Sequence, residues 1–189
     1  MAGTAEDGGP KPVPGLGTQI QSDALYGYSA EARVSVNWLM RSGQHADGSS
    51  YALREPDLQI TDAYTDLPGD MMTSIRTPRP VFGMGLLEAV PDATIRNMAD
   101  QQANTDDGIS GRVNEVPNLV TGQMDVGRFG WKATMPTLVQ QSADAYNHDM
   151  GVTTSLLPYE PTQGQEGFGD GLDDDPEVSE EVLDEVTFY

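Results

Sequence analysis

The fold and function of the chain are predicted chiefly from residues 127–151, GRFGWKATMPTLVQQSADAYNHDMG. Thr134 is a favourable helix N-cap, and Pro136 fits the first turn of a helix, where its missing N–H costs nothing. Glycine is common just beyond a helix C-terminus, and Gly151 is suitably placed for that role. The pattern therefore predicts a helix from about residue 135 to residue 148.

This predicted helix carries polar groups at helical spacing. Gln141 and Asp149 share a face with Leu138 and Ala145, because the four residues are separated by steps of three or four. Trp131 comes shortly before the helix, where a large ring can be presented beside that face. The pattern is typical either of an ordinary surface helix or of a helix that lines a polar site.

Composition restricts the possible classes of protein. A length of 189 residues allows one domain with a core, whereas 21 Gly and 13 Pro indicate long irregular connections. The net charge of −20 argues against binding to nucleic acid or to anionic membranes. The chain has no cysteine, and no apolar run approaches the roughly 18 residues of a membrane span.

The first third of the chain predicts a β-hairpin. Residues 1–18 are rich in Gly and Pro and are expected to form a disordered lead-in. Residues 31–39 then alternate, with Val34, Val36 and Trp38 on one face, and residues 50–60 form a second extended stretch. The intervening SGQHADGSS predicts a long turn.

An apolar segment follows, and it is expected to hold the centre of the core. Gly83 and Gly85 allow the backbone to approach other segments closely, and Pro91 or Asp92 can open a short helix after it. The apolar side chains expected in this core are Phe82, Met84, Leu86, Leu87 and Val90.

Two acidic segments remain. NTDDGISG, residues 104–111, resembles a calcium loop, but the EF-hand spacing fails because the twelfth position falls on Pro117. An Asx turn is predicted there, and a looser calcium site stays open. Residues 161–176 are expected to form an acidic flexible linker, and residues 177–189 begin a helix capped by Ser179 that has no stop signal.

Four segments, in this order, resemble the middle of the di-haem oxidoreductase family. They are RTPRPVFGMGLLEAVPDA (76–93), DDGISGRVN (106–114), GRFGWKATMPTLVQQSADAYNHDMGVT (127–153) and PEVSEEVLDEV (176–186). That family is similar to the periplasmic di-haem cytochrome c peroxidases of bacteria. The resemblance implies a mainly α fold with long irregular loops and a small β-hairpin, part of a cytochrome c peroxidase-like architecture. Residues 19–160 would be its central inter-haem region.

The resemblance also implies site residues. Trp131 would lie on the electron path between the haems, and Gln141, ten residues later, would line the distal pocket with Asp149. A carboxylate there can move a proton between the oxygens of peroxide, and an amide can hold peroxide without titrating. Two departures from the pattern are an Asp where the peroxidases have Glu and a shorter interval after Gln141. The cations of Arg76 and Lys132 are candidates for contact with haem propionates.

The implied cofactors are two c-type haems, but no Cys-x-x-Cys-His motif occurs. The chain is therefore expected to be an internal fragment of a periplasmic oxidoreductase, inactive by itself. Its partners would be an electron-donor protein and a small oxidant such as peroxide. The alternatives are a non-catalytic acidic extracellular or halophilic module with calcium-binding loops, and a stand-alone protein that has lost its haems.

Overall fold

A computed structural model describes residues 10–24, 27–161 and 173–189. The chain divides into two compact units, one comprising Val13–Thr77 and the other Pro78–Tyr189. The first unit contains the strands β1 (Arg33–Gln44) and β2 (Ser50–Thr61). The second contains α1 (Met84–Glu88), α2 (Asp92–Ala103), β3 (Glu115–Asn118), β4 (Gln123–Val126), α3 (Leu138–Met150) and α4 (Glu180–Phe188).

The predicted β-hairpin is confirmed. β1 and β2 pair antiparallel along their whole length, from Arg33 opposite Thr61 to Gln44 opposite Ser50. The turn is closed by the His45 amide, which donates to the Ser49 carbonyl oxygen at 2.8 Å. Alternation places an apolar row on one face, with Val34, Val36, Trp38 and Met40 opposite Ile60, Leu58, Pro56 and Arg54.

The first unit has buried residues outside the hairpin strands. Leu16, Glu31 and Ala32 are buried. The Glu31 carboxylate accepts a hydrogen bond from the Gln21 amide at 2.8 Å. Burial raises the pKa of Glu31, and the hydrogen bond from Gln21 opposes that rise. Of the predicted lead-in, residues 1–9 lie outside the described residues, whereas Val13 and Gly17 form a bridge.

The core of the second unit is formed by β3, β4, α3 and α4. Its buried apolar side chains are Val116, Val126, Phe129, Ala143 and Leu183. The Ser179 side chain caps α4 by accepting a hydrogen bond from the Val182 amide, as predicted. The fully buried Thr153 amide donates to the Glu177 carboxylate at 2.9 Å, which holds the segment before α4. Residues 162–172 of the predicted linker lie outside the described residues.

The prediction of a mainly α fold is wrong. Helix and strand each account for 23% of the structure, and the strands form two small antiparallel sheets. The first hairpin strand is longer than predicted, since β1 continues to Gln44, and β2 runs through Pro56 without a break. Both strands of a two-stranded sheet are edge strands, where proline is tolerated. The β3–β4 hairpin was not predicted, because four-residue strands give too few alternating positions to reveal a period.

The expected position of the core is also wrong. Phe82 is 84% exposed and Leu86 is 81% exposed. α1 has only five residues, which give it little more than one turn with which to cover these side chains. The apolar segment is therefore a surface of the second unit rather than its interior.

The Asx turn predicted in residues 104–111 is confirmed and is centred on Asp107. Its carboxylate accepts hydrogen bonds from the Ile109 amide at 2.9 Å and the Thr105 hydroxyl at 2.7 Å. These bonds lower the pKa of Asp107. In the part of the chain that the structure describes, no cluster of three or more His, Asp or Glu side chains could hold a metal ion, so calcium binding finds no support.

Candidate functional site

Trp131 lies near the tip of a short closed loop. Phe129 and Met135 pair across its base, with the Phe129 amide donating to the Met135 carbonyl oxygen at 3.0 Å and a return bond of 3.3 Å. The loop reverses direction through two residues with positive φ, Gly130 at 79° and Ala133 at 49°. The second is uncommon for a residue with a side chain. Trp131 is 52% exposed on this loop.

Asn114 and Gly127 hold the loop in place. The Asn114 side-chain amide donates to the carbonyl oxygens of Lys132 at 3.1 Å and Ala133 at 3.0 Å. The Gly127 amide donates to the Asn114 carbonyl oxygen at 2.8 Å. A Cβ atom on Gly127 would lie 1.8 Å from the Ala133 carbonyl oxygen, so only glycine fits there. The loop that carries Trp131 is thus held by hydrogen bonds from Asn114, which in turn bonds to Gly127.

A cation covers one face of the indole. The Arg79 guanidinium carbon lies 4.8 Å from the centre of the Trp131 ring. Arg79 belongs to RTPRP, which contains no helix or strand, in agreement with the extended conformation expected before proline. Lys132 is exposed beside Trp131 in the sequence. Arg76 is exposed as well, but it belongs to the first unit.

α3 follows the loop directly. Thr137 is its N-cap, and the Leu138 amide donates to the Glu88 carboxylate at 2.7 Å. The helix begins three residues later than predicted, because Met135 is engaged in the bridge that closes the Trp131 loop. It ends at Met150, two residues beyond the predicted end, and the predicted role of Gly151 is confirmed, since it is the C-cap with a positive φ of 71°.

The face of α3 that packs against the rest of the second unit carries other residues than Gln141 and Asp149. Gln140 is only 6% exposed, and the buried side chains of the helix are Gln140, Ala143 and Asn147. The Gln140 side chain accepts from the Leu119 amide at 2.9 Å and donates to the Pro117 carbonyl oxygen at 3.2 Å, which joins α3 to the β3–β4 hairpin. Gln141 is half-buried and Asp149 is exposed, so both stay outside this packing.

The model of a family described as "Di-haem oxidoreductase, putative peroxidase" matches residues 3–189. The chain belongs to this family. No curated protein matched the chain, and no solved structure did. The name of the di-haem oxidoreductase family implies two haems and a peroxidase-like oxidoreductase.

The residues of this family member fit the lining of a haem site but not a covalent anchor. With no cysteine, the chain cannot supply the thioether bonds of haem c. It does present exposed apolar side chains at Val81, Phe82 and Leu86, which suit the faces of a porphyrin. The exposed cation of Lys132 could pair with the propionate carboxylates of a haem.

Near the C-terminus of α3 the family member carries a coupled acid–base pair. His148 Nδ1 lies 3.1 Å from a carboxylate oxygen of Asp144, one turn earlier on the helix. The hydrogen bond to Asp144 raises the pKa of His148, burial opposes the rise, and the charge of Asp149 adds to it. His148 is therefore a titratable side chain next in sequence to Asp149, the carboxylate predicted to transfer protons.

A buried arginine ties the loop to the preceding helices. The Arg128 side chain is only 8% exposed and forms an ion pair with Asp92, the first residue of α2. It also donates to the Leu87 carbonyl oxygen at 3.4 Å. The exposed apolar segment of α1 is thereby linked to the loop that carries Trp131.

Most of the predicted site residues, but not all, lie in the same unit. Trp131, Lys132, Gln141 and Asp149 all lie in the second unit, whereas Arg76 does not. Sequence reasoning missed Asn114, Arg79 and Arg128. The pair of prolines around Arg79 signalled an extended segment, but nothing in the local pattern pointed to the indole as its neighbour. In the described ranges, 10–24, 27–161 and 173–189, no helix has the length and apolar character of a membrane crossing.

Proposed function

We propose that the chain is the central part of a periplasmic di-haem c-type oxidoreductase that passes electrons from a donor protein to a small oxidant such as peroxide. One observation carries this proposal. Trp131 is held half-exposed on a closed loop, and that loop leads directly into the helix that bears Gln141 and Asp149. A redox-active side chain and a proton-transfer group are therefore supplied by adjacent, rigid elements.

The haems, when bound, supply the redox chemistry, and the protein supplies position and electrostatics. Trp131 offers an indole through which an electron can pass. The exposed Asp149 carboxylate can accept a proton from the oxidant and return it to the departing oxygen. Lys132 is proposed to meet a haem propionate from the second unit, and Arg76 is a separate candidate for such a contact from the first unit.

Gln141 and Asp149 have separate tasks in this proposal. Eight residues of α-helix correspond to a rise of about 12 Å. The two side chains are therefore attached about two helical turns apart, and the proposal requires no direct hydrogen bond between them. Proton transfer is assigned to Asp149, whereas the amide of Gln141 orients the oxidant without changing its own charge.

The test uses the complete gene product that contains this chain, expressed with a cytochrome c maturation system. The absorption spectrum is followed after addition of hydrogen peroxide. Asp149→Asn should abolish most of the spectral reaction, while Asp149→Glu should retain it because the carboxylate is kept. Asp184→Asn, on the exposed side of α4, is the matched control and should react like the parent. A parental rate in Asp149→Asn would refute the assignment.

A further inference from the structure

Arg79 and Trp131 form a stacked pair that sequence patterns did not reveal. The guanidinium carbon is 4.8 Å from the ring centre, which is within the range of a cation–π interaction. Both side chains are accessible to solvent, so the stack is not forced by burial. The indole itself is mounted on a loop that Asn114 and the Phe129–Met135 bridge hold in one conformation.

We propose that Arg79 is a positioning residue for Trp131 that makes loss of an electron from the indole more difficult. This inference rests on the proposed electron-transfer role of Trp131. Removing an electron leaves positive charge on the ring, and that charge would meet the fixed charge of Arg79 at 4.8 Å. At the dielectric constant of water, repulsion between two unit charges at this distance changes the equilibrium constant for oxidation about fourfold.

The geometry favours Arg79 over the neighbouring cation for this role. A guanidinium is planar, remains charged across the accessible pH range and stacks on aromatic faces. Lys132 follows Trp131 in the chain, but the stacked cation is Arg79. Since Arg79 is separated from the loop by about fifty residues of sequence, its contact with the ring also joins the start of the second unit to the loop.

The experiment is voltammetry on the chain with Trp38→Phe, which leaves Trp131 as its single indole. In the measured step one electron passes from the indole to the electrode and leaves an indole radical cation, and the scan is fast enough for the potential to be read before the Nε1 proton passes to the buffer. The variants are Arg79→Gln and Arg79→Lys. Arg112→Gln removes the same charge elsewhere in the second unit and is the matched control.

Arg79→Gln should lower the oxidation potential of Trp131 by about 35 mV, the equivalent of a fourfold change at 59 mV per tenfold. Arg79→Lys should stay closer to the parent, and Arg112→Gln should equal it. Raising the salt concentration from about 10 mM to 1 M should shrink the difference in potential between the parent and Arg79→Gln, because an exposed charge is screened.

Equal potentials in the parent and Arg79→Gln at low salt would overturn the inference. Equal shifts in Arg79→Gln and Arg112→Gln would overturn it as well, because the effect would then follow net charge. The measurement requires no haem. Its failure is therefore distinguishable from failure of the proposed function, which is judged on the haem-loaded protein.

Discussion

The side-chain amide of Asn114 donates a hydrogen bond to the carbonyl oxygen of Ala133, 3.0 Å away. Ala133 has a positive φ, so this bond stabilises a backbone conformation that an alanine seldom adopts. The same amide reaches the Lys132 carbonyl oxygen at 3.1 Å. One side chain from the segment before β3 therefore fixes the loop that presents Trp131.

Asn114→Ala should loosen this loop. The loss of two hydrogen bonds to backbone carbonyls is expected to lower the free energy of unfolding by about 1–2 kcal/mol. Urea denaturation and quenching of Trp131 fluorescence by acrylamide, both in a Trp38→Phe background, measure the two effects. Asn104→Ala removes an exposed amide that bonds to Asp100 near the end of α2, and should change neither quantity appreciably. Unchanged quenching in Asn114→Ala would contradict the assigned role.

Arg128→Ala should destabilise the chain more than Arg96→Ala. The Arg128 side chain is largely buried between Asp92 and the Leu87 carbonyl oxygen, and losing these charged hydrogen bonds should cost about 2–3 kcal/mol. Arg96 pairs with Glu115, but both side chains are exposed, so its loss should cost about 0–1 kcal/mol. Urea denaturation compares the two variants. Equal costs would show that Arg128 does not link α1 and α2 to the loop.

His148 should make stability depend on pH. Its pKa in the folded protein is raised above the ordinary value of 6.5 by the hydrogen bond to Asp144. Its contribution is therefore fully present below the unfolded pKa and is lost as the pH rises through the higher folded pKa. Melting temperatures between about pH 5.5 and pH 8 should fall with rising pH in the parent, and this component should vanish in His148→Gln. An identical pH profile in both proteins would rule out the coupling.

Replacing Gln140 should affect stability, whereas replacing its neighbour Gln141 should affect the reaction with peroxide. Gln140→Ala leaves the Leu119 amide without its partner and should cost about 1–3 kcal/mol of stability. Gln141→Ala should change stability by less than about 0.5 kcal/mol, yet slow the reaction with peroxide in the haem-loaded protein. Denaturation and the peroxide assay give the two readouts. The reverse pattern would exclude Gln141 from the site.

Local sequence determined the end of α3 but not its packing. Gly151 was predictable because a positive φ after a helix favours glycine. The start was misjudged because Met135 pairs with Phe129, a tertiary contact that outweighs the capping preference of Thr134. Gln140 rather than Gln141 is buried because Gln140 meets the backbone of the β3–β4 hairpin. The sequence could not reveal this, because a packed face that contains polar side chains produces no hydrophobic periodicity.

The same limit applies to the fold and to the rest of the site. The alternation around Trp38 predicted the β-hairpin correctly, since strand period is a local property. The exposed position of Phe82 could not be predicted, because an apolar segment looks the same whether it packs inside its own unit or remains at a surface. Asn114 and Arg79 act on Trp131 through contacts between distant segments, which no short motif records.

The most direct test of the account replaces each tryptophan in the haem-loaded complete gene product and measures the rate of peroxide reduction by an electron donor. Trp131→Phe is predicted to lower this rate by at least about tenfold, equivalent to ~1.4 kcal/mol of activation free energy. Trp38→Phe, at a half-exposed tryptophan that is stacked under Arg54, should leave it unchanged. A parental rate in Trp131→Phe would contradict the claim that this loop carries electrons.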